Sequence, residues 1–107
     1  MTPSLEIDEH GDAVTVTLGG ELDISNAAAV EGRLIALEES RPAALVLDLR
    51  QVSFIDSTGL SLLINADSRA RKAGRRLTIV PGEGAVERTL RTVGLDERLD
   101  IDPESTA

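Results

Sequence analysis

Residues 45–60 read LVLDLRQVSFIDSTGL, and how this stretch divides decides the organisation of the chain. Leu45-Val46-Leu47 is a short continuous apolar run, the pattern of a strand covered on both faces. Val52, Phe54 and Ile55 extend the apolar character to Asp56-Ser57-Thr58-Gly59, after which the period changes. From about residue 58 to 73 the spacing predicts a helix, with Leu60, Leu63 and Ile64 inward and Ala66, Ala70 and Ala73 packing closely. Its last turn is basic and Gly74 follows, so charge and cap both mark its end.

Upstream, Leu5 and Ile7 alternate with Glu6 and Asp8, and Val14, Val16 and Leu18 alternate with Thr15 and Thr17. A period of two on each side of His10-Gly11-Asp12 predicts an antiparallel hairpin. Val30, Leu34 and Leu37, with Ile35 beside them, then form a helical face that Arg41-Pro42 ends; Asp23, Ser25 and Asn26 are candidate caps for its start. Downstream, Leu77, Ile79 and Val80 form a strand, Pro81-Gly82-Glu83-Gly84 breaks it, and Val86, Leu90 and Val93 give a third helical face ending at Gly94. The remainder has room for one short edge strand, and a frayed tail is expected over 103–107. The reading is a single α/β domain spanning 1–107. Its mixed sheet starts with an antiparallel hairpin, continues β-α-β-α-β-α, and carries helices packed on it.

Composition excludes several classes of function. The 107 residues include no cysteine and one histidine, which removes thiolate catalysis, cysteine-ligated zinc and most histidine-based activation. No metal, no cofactor and no catalytic residue is expected. A net charge of −8 repels phosphate backbones and anionic lipid, so neither nucleic acid nor membrane is an expected partner. Without a spanning apolar run or a leader, the expected location is the cytoplasm. Phe54, the one aromatic, leaves no stacking platform for single strands. Such a composition favours a protein partner.

Ser57 is the most informative position. It lies between a strand and an amphipathic helix, where the first backbone N–H groups lack intrahelical partners. Ser57 or Thr58 would serve there as a helix cap, or Ser57 would serve as a phospho-acceptor. A phosphate would meet the positive end of the helix dipole and free N–H donors, so the modified chain need not unfold. What would change is the surface, by roughly two negative charges beside Asp56.

Leu45-Val46-Leu47-Asp48-Leu49 followed by Phe54-Ile55-Asp56-Ser57-Thr58-Gly59-Leu60, with Gly20-Glu21-Leu22-Asp23 about 35 residues upstream of the acceptor loop, closely resembles the STAS domain of bacterial anti-sigma factor antagonists. The resemblance runs from the leading hairpin to Gly94. It implies a partner switch: the unmodified antagonist binds an anti-sigma factor that is also a serine kinase, and a sigma factor is released. Phosphorylation breaks that complex and a serine phosphatase restores it. Carried over, Ser57 is the acceptor and Thr58 a secondary candidate. Asp23 lies near it, forming the docking surface or orienting the hydroxyl. Asp56 shapes the acceptor loop, and Gly59 lets the kinase approach the backbone. The alternative within the family is a scaffold: a STAS subunit of a stress-signalling or lipid-transport assembly, in which Ser57 is a cap and never modified. Relatives often end in a further short helix, which Asp102-Pro103-Glu104-Ser105-Thr106-Ala107 would only begin.

Remaining candidates are weaker. Asp48 superficially resembles a receiver-domain acceptor, but its acidic pair and lysine are missing. Gly82 and Gly84 lack the Walker spacing. His10 reads as a solvated turn residue. Asp67 with Arg71 and Glu87 with Arg91 read as surface i,i+4 pairs. The cluster Arg69, Arg71, Lys72, Arg75 and Arg76 reads as helix-end and sheet-edge charge, or else as a patch for an acidic partner.

Overall fold

A computed structural model describes residues 4–102. The order of elements is β1 (Ser4–His10), β2 (Ala13–Leu22), α1 (Ala27–Glu38), β3 (Ala44–Ile55), α2 (Ser57–Ala73), β4 (Arg76–Val80) and α3 (Ala85–Thr92), then a 3-10 turn at Leu95–Glu97. The four strands form one sheet in the order β1-β2-β3-β4, with β1 antiparallel to β2 and the other neighbours parallel. This is the mixed sheet expected from the sequence. The hairpin turns on Gly11, whose φ of 63° suits a residue without a Cβ. Asp12 O then accepts from Ala43 N and Ala44 N, fastening the turn to the start of β3. Because β2-α1-β3 and β3-α2-β4 step across the sheet in the same direction, α1 and α2 lie side by side and touch.

Register aligns the core in rows. Val14, Leu45 and Leu77 face one way across three strands, as do Val16, Leu47 and Ile79. All six are buried, in one cluster with Val30 and Leu34 of α1, Leu62, Leu63, Ala66 and Ala70 of α2, and Val86 and Leu90 of α3. Val46 points to the opposite face, in a row with Thr15 and Thr78, and is only half-buried. The expectation that 45–47 is covered on both faces therefore fails: the run alternates like any strand, with a β-branched apolar residue on its polar side.

β3 is longer than its apolar pattern suggests because its register against β2 shifts twice. Thr17 and Gly19 pair with Asp48 and Gln51, and Gly20 and Glu21 pair with Val52 and Phe54, so β3 takes an extra residue each time. Buried positions follow suit: Leu45, Leu47 and Leu49 are two apart, then Val52 and Ile55 three apart. Phe54 is consequently turned outward and 48% exposed.

Three further expectations are corrected. The buried stripe of α2 is Gly59, Leu62, Leu63, Ala66, Asp67 and Ala70, alternately three and one apart, while Leu60 and Ile64 are half-buried and Ala73 is exposed. Val93 falls just past the end of α3 and is exposed, because Gly94 turns the chain out with φ 80°. In place of a last strand there is a single parallel bridge between Ile79 and Ile101, held by Ile79 N on Asp100 O and Asp102 N on Ile79 O, both 2.8 Å. The expected tail at 103–107 lies outside the described residues.

The register shifts make a directional prediction. Val52→Asp should abolish cooperative folding, whereas Phe54→Asp, on a larger side chain two residues away, should cost under about 1 kcal/mol in urea denaturation. Equal losses would mean that β3 does not carry the extra residues.

Candidate functional site

The site is built where the C-terminal ends of β2 and β3 meet the N-terminus of α2. Parallel strands bring Leu22 beside Ile55, so the chains leaving the two strands emerge together. One leads into the 23–26 turn and α1, the other directly into α2. Open α/β sheets place their sites at these carboxyl ends.

Asp56 joins the two exits. It is the N-cap of α2, with Oδ1 accepting from Thr58 N at 2.9 Å and Gly59 N at 3.0 Å. Its Oδ2 accepts from Ile24 N at 3.1 Å, 32 residues away in sequence, and its own N–H donates to Leu22 O at 3.3 Å. Gly59 completes the junction. It is buried, and a Cβ there would stand 2.7 Å from both Leu22 O and Ile55 Cγ1. Packing of α2 on the end of β2 thus requires glycine at this position, whether or not a partner approaches it.

Ser57 is the first residue of α2 and is exposed. The expected alternative, Ser57 or Thr58 as the helix cap, does not hold: Asp56 takes that role, and neither hydroxyl hydrogen-bonds to a described residue. The free N–H donors expected for a phosphate are also largely taken. Thr58 N and Gly59 N go to Asp56 Oδ1, and Leu60 N goes to Asp56 O at 3.0 Å. A charge added to Ser57 would therefore remain outward, next to an existing carboxylate.

The turn 23–26 brings Asp23 to the same end of the molecule. Asp23 Oδ1 accepts from Ser25 Oγ and from Ser25 N, and these two bonds hold its carboxyl below its ordinary value. Asp23 thus orients its own turn, not the Ser57 hydroxyl. Asn26 occupies the N-cap position of α1 but makes no cap bond; its Nδ2 donates to Glu21 O at 2.7 Å and its Oδ1 accepts from Asp23 N at 3.1 Å. Ile24, which the sequence did not single out, is 79% exposed at the centre of this turn.

Asp48 lies within β3, not at its end. Its carboxylate is held by Arg50 through Nε at 3.0 Å, Nη2 at 2.7 Å and the backbone N at 3.1 Å, which leaves it poorly placed as an acceptor. Three of the five residues of the basic cluster are engaged within the chain, while Lys72 and Arg76 are exposed. Arg69 reaches both Glu31 and Glu38 of α1, Arg71 pairs with Asp67, and Arg75 donates to Glu38 O at 3.4 Å. Glu87 and Arg91 form the other expected pair, at 3.0 Å. No group of side chains among the described residues could hold a metal ion, and no helix among them is long and apolar enough to cross a membrane.

Fold and site together define a small domain of the STAS type, and the chain belongs to the STAS domain family, whose model matches residues 4–106. It is 29% identical to an anti-sigma-F factor antagonist of Mycobacterium tuberculosis, over 88% of this chain and 76% of that protein. It is also 29% identical to the anti-sigma-B factor antagonist of Bacillus subtilis, over 98% of this chain and 95% of that one. The crystal structure of an anti-sigma factor antagonist from Mycobacterium paratuberculosis superposes with a TM-score of 0.87 at 28% identity, covering 95% of this chain and 86% of that one.

Two measurements test this geometry. Gly59→Ala should destabilise the domain by about 1–3 kcal/mol through overpacking, although helix propensity alone would favour alanine by about 1 kcal/mol; the sign of the change in a denaturation midpoint decides. Arg50 lowers the Asp48 carboxyl, first by its side-chain hydrogen bonds, against the opposing effect of burial. The stability this contributes is complete above the ordinary carboxylate range and lost as pH falls through the lowered folded value. In Arg50→Gln the Asp48 carboxyl should titrate at higher pH by NMR, and the acid unfolding midpoint should rise.

Proposed function

We propose that this protein is an anti-sigma factor antagonist whose binding face surrounds Ser57, and that phosphorylation of Ser57 turns the binding off. The observation that carries the reading is the state of that serine. It is exposed, and its hydroxyl makes no hydrogen bond to a described residue. It opens a helix whose cap is supplied by Asp56, so the hydroxyl has no structural duty. Relatives along nearly the full chain are named anti-sigma factor antagonists, which supports the role.

The partner is an anti-sigma factor with serine kinase activity, and a serine phosphatase resets the switch. The antagonist is a cytoplasmic binding module with no chemistry of its own; its docking surface includes Asp23, Asp56, Thr58 and Gly59. Charge explains the direction of switching. A partner face that accepts a neutral hydroxyl between Asp23 and Asp56 is repelled when roughly two more negative charges appear there. A coupling of a few kcal/mol changes affinity tens- to thousands-fold, enough for an on/off response.

Ser57→Ala should bind the anti-sigma factor and resist inactivation by its kinase, and Ser57→Asp should bind at least tenfold more weakly. Site-resolved mass spectrometry of the protein from its host should find phosphate on Ser57 that changes with condition. Equal binding by the two variants, with Ser57 unmodified throughout, would overturn the reading in favour of the scaffold.

A further inference from the structure

A single exposed apolar side chain is ordinary on a protein surface. Ile24 is unusual for the way it is held. Among the described residues it is the most exposed of the large apolar side chains, at 79%. The backbone beneath it is fixed at every donor. Asp23 N donates to Asn26 Oδ1, Ile24 N to Asp56 Oδ2, Ser25 N to Asp23 Oδ1, and Asn26 N to Asp23 O, all between 3.0 and 3.1 Å. Four consecutive N–H groups are thus engaged, one of them by the residue that caps the Ser57 helix. The side chain that this frame presents to water is an isoleucine.

We infer that Ile24 is the apolar anchor of the partner interface: a preformed knob that enters a pocket on the anti-sigma factor. The inference rests on the antagonist reading above and deepens it. Interfaces draw most of their affinity from a few well-buried side chains near the centre, and holding such a side chain in its bound position removes part of the entropic cost of association. Its own fold fixes the Ile24 backbone and leaves the side chain largely available for burial. Polar surroundings define the rest of the partner's face. Glu21 is exposed and Asp23 and Asp56 are partly so, hence the pocket receiving Ile24 is apolar within a rim that is neutral or cationic. Phosphate on Ser57 then acts close to the anchor, because Asp56, the residue preceding Ser57, accepts from Ile24 N.

The test titrates each purified serine-kinase anti-sigma factor of the host with the full chain and its variants by calorimetry. One of them should bind. Ile24→Ser, which keeps every backbone bond of the turn, should weaken that binding about ten- to a hundredfold, as expected for burying an isoleucine. Ile24→Val should weaken it less, and Ile35→Ser, at an exposed isoleucine on α1, should leave it unchanged. Amide spectra of each variant establish that it is folded. Should Ile24→Ser bind like the parent, or lose no more than Ile35→Ser, while Ser57→Asp still blocks binding, the anchor is refuted and the antagonist reading stands. Should no anti-sigma factor bind, or Ser57→Asp bind like the parent, the antagonist reading fails and the anchor with it.

Discussion

The carboxylate of Asp56 is the interaction on which the functional end of the molecule depends. Three N–H groups converge on it, two from the first turn of α2 and one from the turn after β2, at 2.9 to 3.1 Å. Each alone is an ordinary charge-assisted hydrogen bond. Together they do something that packing cannot, since no apolar side chain could satisfy three backbone donors at the mouth of a sheet. Removing the carboxylate would leave the start of α2 uncapped and Ile24 N without its acceptor in one step. Gly59 makes that convergence possible by letting the helix approach within contact of Leu22 O.

Behind that junction the domain is braced from the other side. Arg69 of α2 forks between Glu31 and Glu38, two turns apart on α1, at 2.7 to 3.0 Å. The two helices that begin at the site are thereby joined along their length by partly buried pairs as well as by their apolar faces. Arg69 and Arg75 of the basic cluster are used in this way, whereas Lys72 and Arg76 remain exposed on the surface.

Much of this was legible in the sequence because it rests on local rules. Alternation marked β1 and β2, Gly11 and Gly74 marked a turn and a helix end, and the passage from Ile55 to Gly59 placed Ser57 at a helix start. What was not legible depends on residues distant in the chain. The outward turn of Phe54 follows from where β3 slips against β2, which its own pattern does not record. The buried stripe of α2 includes Asp67, a charge that hydropathy assigns to the surface and that Arg71 makes tolerable at 2.8 Å. That Asp56 caps the helix in place of Ser57 is a choice between adjacent residues, each able to cap, and only the position of Ile24 N at the other exit favours the longer-reaching carboxylate.

The bracing of the 23–26 turn also bears on time. A segment in which every N–H is already committed has little slower rearrangement to undergo before it meets a partner, so encounter proceeds as between rigid bodies. Were Ser57 phosphorylated as proposed, the delay between that change and its effect would be set by the modifying enzymes and by dissociation of the complex. Memory of the signal would then reside in the balance of those enzymes and not in the shape of this protein.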